Sequence, residues 1–511
     1  MITIIMNEDR FGSRSVAVEE PDVPRVDVVR LAGRGTLYIA AAKAYFMLTG
    51  LATYLVLPRV LSAEQFGLYS IAAGVASIIN AVVITGTVQM VSRFVSQAET
   101  LAEAVKRKAL QLQLLVGGGI AGGYVLLAPF IARALHDPRL TDYFRITAGI
   151  TFSYSLYAVF LGTLNGRKQF GKQAILDFSY STFKMLFVIG LAALGYAVVG
   201  ALSGWLLASL TVLSLAAFMV GWPKPRGRVR VRDLLGFQSM VLVFILMVNA
   251  LQKVDLLLIK ALSSPDPKLA SDMAGYYSAV MTIANVTWQS IIAITFVAFP
   301  LISESTFKAE RETTRRYISH TVRFSLMIMA LLSVLFSSHA EGLLGLIYTP
   351  EYLAGATALR IAPFGMLLFG LLYVLTTIIT SSGRPHVSVM IGLLTLVLDA
   401  AGNGWLIPRH GLVGAALAVS MAMGVGTVLA SFYVLQRYGA LLPLRSVLRI
   451  GGAALVAYGV ARLVSVDGLL MVAVLALQAV VYAGALLFTG EIGTEERAAL
   501  YRILGRQRPD G

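Results

Sequence analysis

Three lysines, Lys43, Lys184 and Lys253, lie inside long apolar stretches of a chain that otherwise keeps its basic residues out of them. An ionised side chain in hydrocarbon costs at least about 2.5 kcal/mol unless it faces a cavity or a partner, so three of them imply a polar route. Lys184 falls near the middle of its stretch. Lys43 and Lys253 lie nearer the ends of theirs, where snorkelling to headgroups is the competing reading. Asn249, Gln252 and Lys253 recur at i, i+3 and i+4 and so form a polar stripe on one helix face. Asp177, Asp255 and Asp399 also stand in apolar surroundings, with Asn403 one turn beyond Asp399. A buried carboxylate can bind and release a proton as its access changes, or it can be a structural partner for a lysine or a cap. Asp177 and Lys184 are two helical turns apart, too far for direct contact along one helix.

The elements that must position these groups follow from composition. The chain has 511 residues, is 57% hydrophobic and 14% charged, and has a mean hydropathy of +0.77. That is the balance of an all-α polytopic membrane protein, with apolar runs of roughly 20 residues that match about 30 Å of hydrocarbon. Spans are expected near 36–57, 66–91, 109–132, 143–165, 174–197, 200–222, 234–262, 275–301, 320–338, 358–382, 386–407, 411–435, 447–465 and 468–489, about fourteen in all. Of the 42 Lys and Arg, about 30 fall in the two tails and the loops on their side, about 9 on the other, and the remaining three are the intramembrane lysines. Both termini are therefore expected in the cytoplasm. The net charge of +15 reads as this positive-inside bias and not as a nucleic-acid surface. There is no cysteine, the five histidines have no metal-like spacing, and there is no phosphate-binding loop for ATP, so neither an enzyme nor a cofactor is expected. Two basic cytoplasmic segments, Phe94 to Lys108 and Phe307 to Ile318, read equally as surface helices on the inner leaflet or as plain connectors.

Three anchors repeat along the chain. Phe66-Gly67-Leu68-Tyr69-Ser70 pairs with Ala274-Gly275-Tyr276-Tyr277-Ser278, Gly166-Arg167-Lys168 with Gly383-Arg384-Pro385, and Gly200-Ala201 with Gly414-Ala415. Their near-constant offset predicts two six-helix lobes of like orientation, related by a pseudo-two-fold along the membrane normal, with a site between them. The expected layout is an N-terminal tail over 1–35, an N-lobe over 36–222, and a basic linker over 223–233. A C-lobe over 234–440, two terminal helices over 441–489 and a C-terminal tail over 490–511 follow. Pro129, Pro300 and Pro363 are candidate bends.

The run from Leu57-Pro58-Arg59 to Phe66-Gly67-Leu68-Tyr69 resembles the opening of polysaccharide-transport proteins. So do Lys253-Val254-Asp255-Leu256, Phe299-Pro300-Leu301-Ile302-Ser303, Glu351-Tyr352 and Gly411-Leu412-Val413-Gly414-Ala415. Together they resemble the O-antigen and exopolysaccharide repeat-unit flippases of the multidrug/oligosaccharidyl-lipid/polysaccharide exporter superfamily. The resemblance implies transport of undecaprenyl-pyrophosphate-linked oligosaccharide across a bacterial inner membrane, driven by a proton or sodium gradient or by substrate flux. It also implies membrane lipids as surroundings and a polysaccharide polymerase and chain-length regulator as candidate partners. On that reading Lys43, Lys184 and Lys253 would meet the pyrophosphate. Asn249, Gln252, Asn285, Gln289, Tyr154 and Trp288 would hold sugars, as would Asn80, Gln89 and Tyr157. Asp177, Asp255 and Asp399 would couple to the ion. The competing readings are a lipid II flippase, a drug/cation antiporter of the same superfamily, and, in another class, a membrane polymerase or ligase. The last would want a large outer loop, which the spacing does not leave.

The orientation can be tested without background labelling, because the chain lacks cysteine. A cysteine placed near Gly227 should resist an impermeant maleimide in intact cells and one near Asp266 should react; the reverse pattern overturns the topology.

Overall fold

A computed structural model of the protein describes residues 25–97, 101–222, 246–463, 468 and 470–493. The basic linker over 223–233, the tail before 25 and the tail beyond 493 lie outside the described residues. The elements are α1 (Arg25–Val60), α2 (Ala63–Gln97), α3 (Ala102–Ala134), α4 (Leu140–Gly166), α5 (Phe170–Leu191), α6 (Ala197–Val220), α7 (Val254–Leu262) and α8 (Pro267–Gln289). They continue with α9 (Ile292–Phe307), α10 (Arg311–Ser338), α11 (Ala340–Ile347), α12 (Ala356–Ser381), α13 (Pro385–Tyr438), α14 (Leu444–Leu463) and α15 (Leu470–Phe488). Among the described residues every regular element is helical. That is the expected outcome in hydrocarbon, where each backbone N–H must find its partner within the segment.

Among the described residues, ten stretches are long and apolar enough to cross a membrane. Two of them, Phe170–Val220 and Pro385–Tyr438, hold two helices each, joined at a sharp reversal. The count of fourteen further requires α1 and the span over 234–262. α1 already begins at Arg25, well before the expected start at 36, because a charged but unbroken sequence lets the helix run on past the membrane.

The internal repeat is legible in the backbone. The α5–α6 reversal turns at Ala197 (φ 47°, ψ −129°) and the reversal inside α13 at Gly411 (φ 53°, ψ −129°), the same conformation at the same offset as Gly200 and Gly414. In both hairpins glycine lets the arms touch: a Cβ on Gly200 would strike the Leu191 carbonyl, and one on Gly414 that of Leu406. The other anchor pair shifts by two residues, since it is Lys168 (φ 55°), not Gly166, that matches Gly383 (φ 83°).

The two lobes, α1–α6 and α7–α13, meet along α2 and α8. Ala63 and Gly67 on α2 face Ser271 and Gly275 on α8, two small-xxx-small pairs of the kind that lets membrane helices approach closely. A Cβ on Gly67 would overlap the Ser271 carbonyl oxygen, and one on Gly275 that of Ala63. The terminal pair α14–α15 is bolted to α10 and its end at three points. The Gln478 Oε1 and His339 Nε2 lie 3.0 Å apart, the Tyr482 hydroxyl donates to the Met327 carbonyl at 2.9 Å, and the Arg323 Nε donates to Glu491 at 2.8 Å.

Several expectations need correction. The span expected over 275–301 is two helices, α8 and α9, separated at Ser290–Ile291; Pro300 lies inside α9 and does not make the break. The break falls well before that proline, which the helix accommodates. Pro129 and Pro363 likewise lie within α3 and α12. The segment Arg311 to Ile318 is no separate surface helix but the first turns of α10, with Thr314 and Ile318 buried. Lys106 also turns inward from its basic cluster: it is 1% exposed, paired with Glu103 at 3.1 Å and bonded to the Gly221 carbonyl at 3.0 Å, so it closes the end of α6.

The lobe contact yields a test. Gly67→Leu should force α2 and α8 apart at a strain of about 1–3 kcal/mol. A cysteine at Ser278, on the cavity wall described below, should then label from outside several-fold faster than in the parent; unchanged labelling would mean that the contact does not close that end.

A cavity between the lobes

Directly beside the lobe contact lies a cavity of about 390 Å³. Its wall is built from α1 (Phe46, Met47, Tyr54), α2 (Ser70, Ser77), α5 (Lys184), the stretch Gln252 to Leu256, and α8 with the start of α9 (Tyr277, Ser278, Met281, Thr282, Asn285, Trp288, Gln289, Ile292). Both lobes thus contribute, and each contributes one lysine.

Two helix breaks open onto this wall. Before α7 the chain makes a turn at Gln252–Lys253, with Lys253 at φ −134°, ψ −13°. The Asp255 carboxylate then restarts the helix, one oxygen accepting the Leu256 N–H at 2.7 Å and the other the Tyr277 hydroxyl at 2.7 Å. The second break, at Ser290–Ile291, sits just beyond Gln289. Irregular backbone at membrane depth is tolerated where it lines a polar cavity, and both breaks obey that rule.

Lys184 is held in place by an aromatic cluster. Its ammonium lies 4.3 Å from the centre of the Trp205 ring. The Trp205 indole N–H is directed at the hydroxyls of Tyr154 at 2.9 Å and Tyr180 at 3.1 Å, which also bond each other. The cation–π contact gives the lysine a partner that does not neutralise it. On the opposite wall the Trp288 N–H donates to Asn285 at 3.0 Å, and Gln289 stands one turn from Asn285.

The structure therefore gathers Lys184, Lys253, Gln252, Asp255, Asn285, Trp288 and Gln289 from the sequence-based set on one surface. It does not bring the others there. Lys43 is half exposed and lies 3.3 Å from the buried Asp177, so that lysine has a carboxylate partner and is no part of the cavity wall. Tyr154, 5% exposed, supports Trp205 behind the wall. Asn249 is off the wall. Asp399 is fully buried in the C-lobe, where Asn403 Nδ2 donates to it at 2.9 Å and its second oxygen has no hydrogen-bond partner among the described residues. Sequence reasoning did not find Ser70, Ser77, Tyr54, Tyr277 or Thr282, because small hydroxyls and tyrosines in membrane helices carry no signal of which way they face.

It also missed a latch at the end of the lobe contact where α1 finishes and α2 begins. Lys260, 0% exposed, donates to Asp137 at 2.9 Å, to Ser271 Oγ at 2.7 Å and to the Pro267 carbonyl at 2.8 Å. Asp137, on the α3–α4 turn, also accepts from Arg139 at 2.9 Å, and Arg139 reaches Glu64 at 2.7 Å. A charge chain thus crosses from one lobe to the other. Burial alone would push the Asp137 carboxyl up, but hydrogen bonds from Arg139 and Lys260 outweigh it and hold it below the ordinary 3.8. The available signal was the pairing of a lysine at a span end with oppositely charged residues in the short loops at that end.

Comparison with known proteins bears on this arrangement. A family model described as "Polysaccharide biosynthesis protein" matches residues 56–356. An uncharacterized membrane protein of Methanocaldococcus jannaschii is 26% identical over 145 residues, 28% of this chain and 29% of its own length. A probable low-salt glycan biosynthesis flippase of Haloferax volcanii is 23% identical over 168 residues, 32% of this chain and 35% of its own. The matched regions thus span about a third of those relatives. Among solved structures, the lipid II flippase MurJ in an inward closed conformation superposes with a TM-score of 0.73 at 14% identity, covering 92% of this chain and 100% of that one. An inward-facing multidrug MATE transporter of the MOP superfamily gives 0.57 at 16% identity, covering 79% and 94%. These likenesses show the fold, shared with the MurJ and MATE structures, and the family match shows the kinship: this multi-pass membrane protein belongs to the polysaccharide biosynthesis protein family.

Proposed function

We propose that the protein is a flippase that moves a lipid-linked oligosaccharide, an undecaprenyl-pyrophosphate-linked repeat unit for O-antigen or exopolysaccharide, from the inner to the outer leaflet of a bacterial inner membrane. The observation that carries the reading is the placement of Lys184 and Lys253 on opposite lobes but on one cavity wall, among amide and indole groups. A diphosphate leaving water needs opposite charge to replace its hydration, and two ammonium groups at low dielectric supply it. Asn285, Gln289, Gln252 and Trp288 offer hydrogen bonds and a stacking face to the first sugars, while the lipid tail stays in the bilayer. Family membership and the name of the Haloferax volcanii relative support the same class.

The cycle would be alternating access. The lobes are joined at the end where α1 finishes and α2 begins, which the basic-loop count assigns to the outside, so the state described is closed outward. Opening it requires the α2–α8 contact and the Asp137–Lys260 pair to part. Asp255 lies two residues from Lys253 and caps the first turn of α7, so a proton or cation there would act on the helix break itself. With Asp399 deeper in the C-lobe, it is the proposed coupling site; Asp177 would balance Lys43. A polymerase and a chain-length regulator would receive the product outside, and both termini would face the cytoplasm.

A second reading, a lipid II flippase, is favoured by the full-length superposition on that fold. Against it, no arginine lines the cavity among the described residues.

Lys184→Ala and Lys253→Ala should each reduce export at least tenfold in a complementation assay at unchanged membrane abundance, with partial recovery by Arg; wild-type export from both would remove the diphosphate role. Leaflet-specific detection of the lipid-linked glycan in a deletion strain tests the activity as a whole: it should accumulate on the cytoplasmic face, and a normal distribution sinks the proposal.

The latch has its own pH signature. A carboxylate held below its ordinary value stabilises the fold at all pH values above the unfolded one, and that stability is lost as pH falls through the lowered value. Asp137→Asn should therefore lower stability by about 3 kcal/mol, by the same amount from pH 8 to pH 5. A difference that shrinks between pH 7 and pH 5 contradicts the assignment.

A further inference from the structure

A second concave site lies on the side that the basic loops assign to the cytoplasm, away from the central cavity and within the C-lobe. It is a cleft of about 470 Å³ between the α9–α10 turn and the end of α13, lined by Ser305, Thr306, Arg311, Arg315, Arg437 and neighbouring backbone. Three guanidinium groups converge on it, and no carboxylate lines it; Glu310 and Glu312 flank Arg311 in sequence but are not part of the wall. Arg315 is already committed, since its Nε donates to the Tyr438 carbonyl at 3.0 Å and its Nη2 to that of Gly439 at 3.1 Å, which ties the two walls together. Arg311, one turn before it, and Arg437, in the last turn of α13, have no protein partner among the described residues. The Thr306 hydroxyl is buried and likewise unpartnered among them. The amino end of α10 is also at the cleft, which adds positive potential.

We propose that this cleft binds the phosphate headgroup of an anionic phospholipid of the inner leaflet. Two free guanidinium groups and an unsatisfied hydroxyl match a phosphodiester that carries one charge and several acceptor oxygens. A lipid is the occupant that fits the cleft's place, on the side that the basic loops set against the anionic inner leaflet. On the last turns of α13, Val428, Phe432 and Leu435 are spaced four and three apart and are 67%, 59% and 49% exposed. They give the last turns of α13 an apolar surface for acyl chains, on a different face from Arg437. The bound lipid fastens the α9–α10 turn to the end of α13, where the chain leaves for the terminal pair.

The test uses the full chain, purified and delipidated in detergent, with binding read by native mass spectrometry. Phosphatidylglycerol should be retained in preference to phosphatidylcholine of the same chain length, and inorganic phosphate should not displace it at millimolar concentration. Arg311→Gln with Arg437→Gln should weaken phosphatidylglycerol binding at least tenfold and leave melting in lipid-free detergent unchanged. If the double variant melts early, Arg437→Gln alone, on an exposed residue, should still weaken binding at least threefold. Retention unaffected by these substitutions overturns the site. Equal binding of phosphatidylcholine overturns the role of charge, and displacement by inorganic phosphate overturns the lipid in favour of a simple anion. None of these outcomes bears on export by the central cavity, so the two proposals stand or fall separately.

Discussion

The closeness of two backbones, α2 at Ala63–Gly67 and α8 at Ser271–Gly275, is the constraint on which the rest of the architecture hangs. In lipid no hydrophobic force draws helices together, so association depends on van der Waals fit and on polar contacts across the seam. Small residues let the helices approach until carbonyl oxygens meet α-carbons. That approach brings the α3–α4 turn over the seam, where Asp137 meets Lys260 of the other lobe. The polar cavity can exist only because this end is sealed. Without the seal, Lys184 and Lys253 would face water, and their charges would do little at high dielectric.

Much of this was legible beforehand, for physical reasons. Hydropathy and loop charge reported the helices because a bilayer leaves few alternatives. The repeat was visible because two of its anchor pairs hold glycines at close approaches: Gly67 and Gly275 touch across the lobe seam, and Gly200 and Gly414 let the arms of each hairpin meet. Lys184 and Lys253 stood out because a charge in hydrocarbon has to be explained. What the sequence hid was direction. Lys43 had the same signal as Lys184 but found Asp177 on α5, and Tyr154 looked like a sugar platform but supports an indole. Helical spacing gives a face, not its neighbour. The break at Ser290–Ile291 was hidden by the more conspicuous Pro300, which the helix accommodates.

The two lysines show how a site can be assembled from unlike supports. Lys184 rises from an uninterrupted helix and leans on an aromatic ring. Lys253 sits in a helix break whose far side is capped by Asp255. One is therefore set by packing and the other by backbone geometry. A rotation of the lobes would change the distance between them while leaving each local support intact, so affinity for a dianion would vary with the opening angle. This links binding to conformation without requiring any flexible element in the wall.

The latch at Lys260 has a kinetic consequence. Its ammonium group has three N–H bonds, and all three are spent, on Asp137, Ser271 and Pro267, with no exposed surface left for water. A lysine that kept one hydrated donor could trade partners one at a time and let the lobes drift apart by degrees. This one has to release its carboxylate as the lobes separate and keeps only Ser271 and the Pro267 carbonyl, so the charge–charge contact is lost in one step. If the lobes rock as proposed, partial openings would be disfavoured and the seam would act as a toggle. For a membrane that must hold its ion gradients, the benefit would be a low leak: the mouth beside Asp137 would be either shut or fully committed.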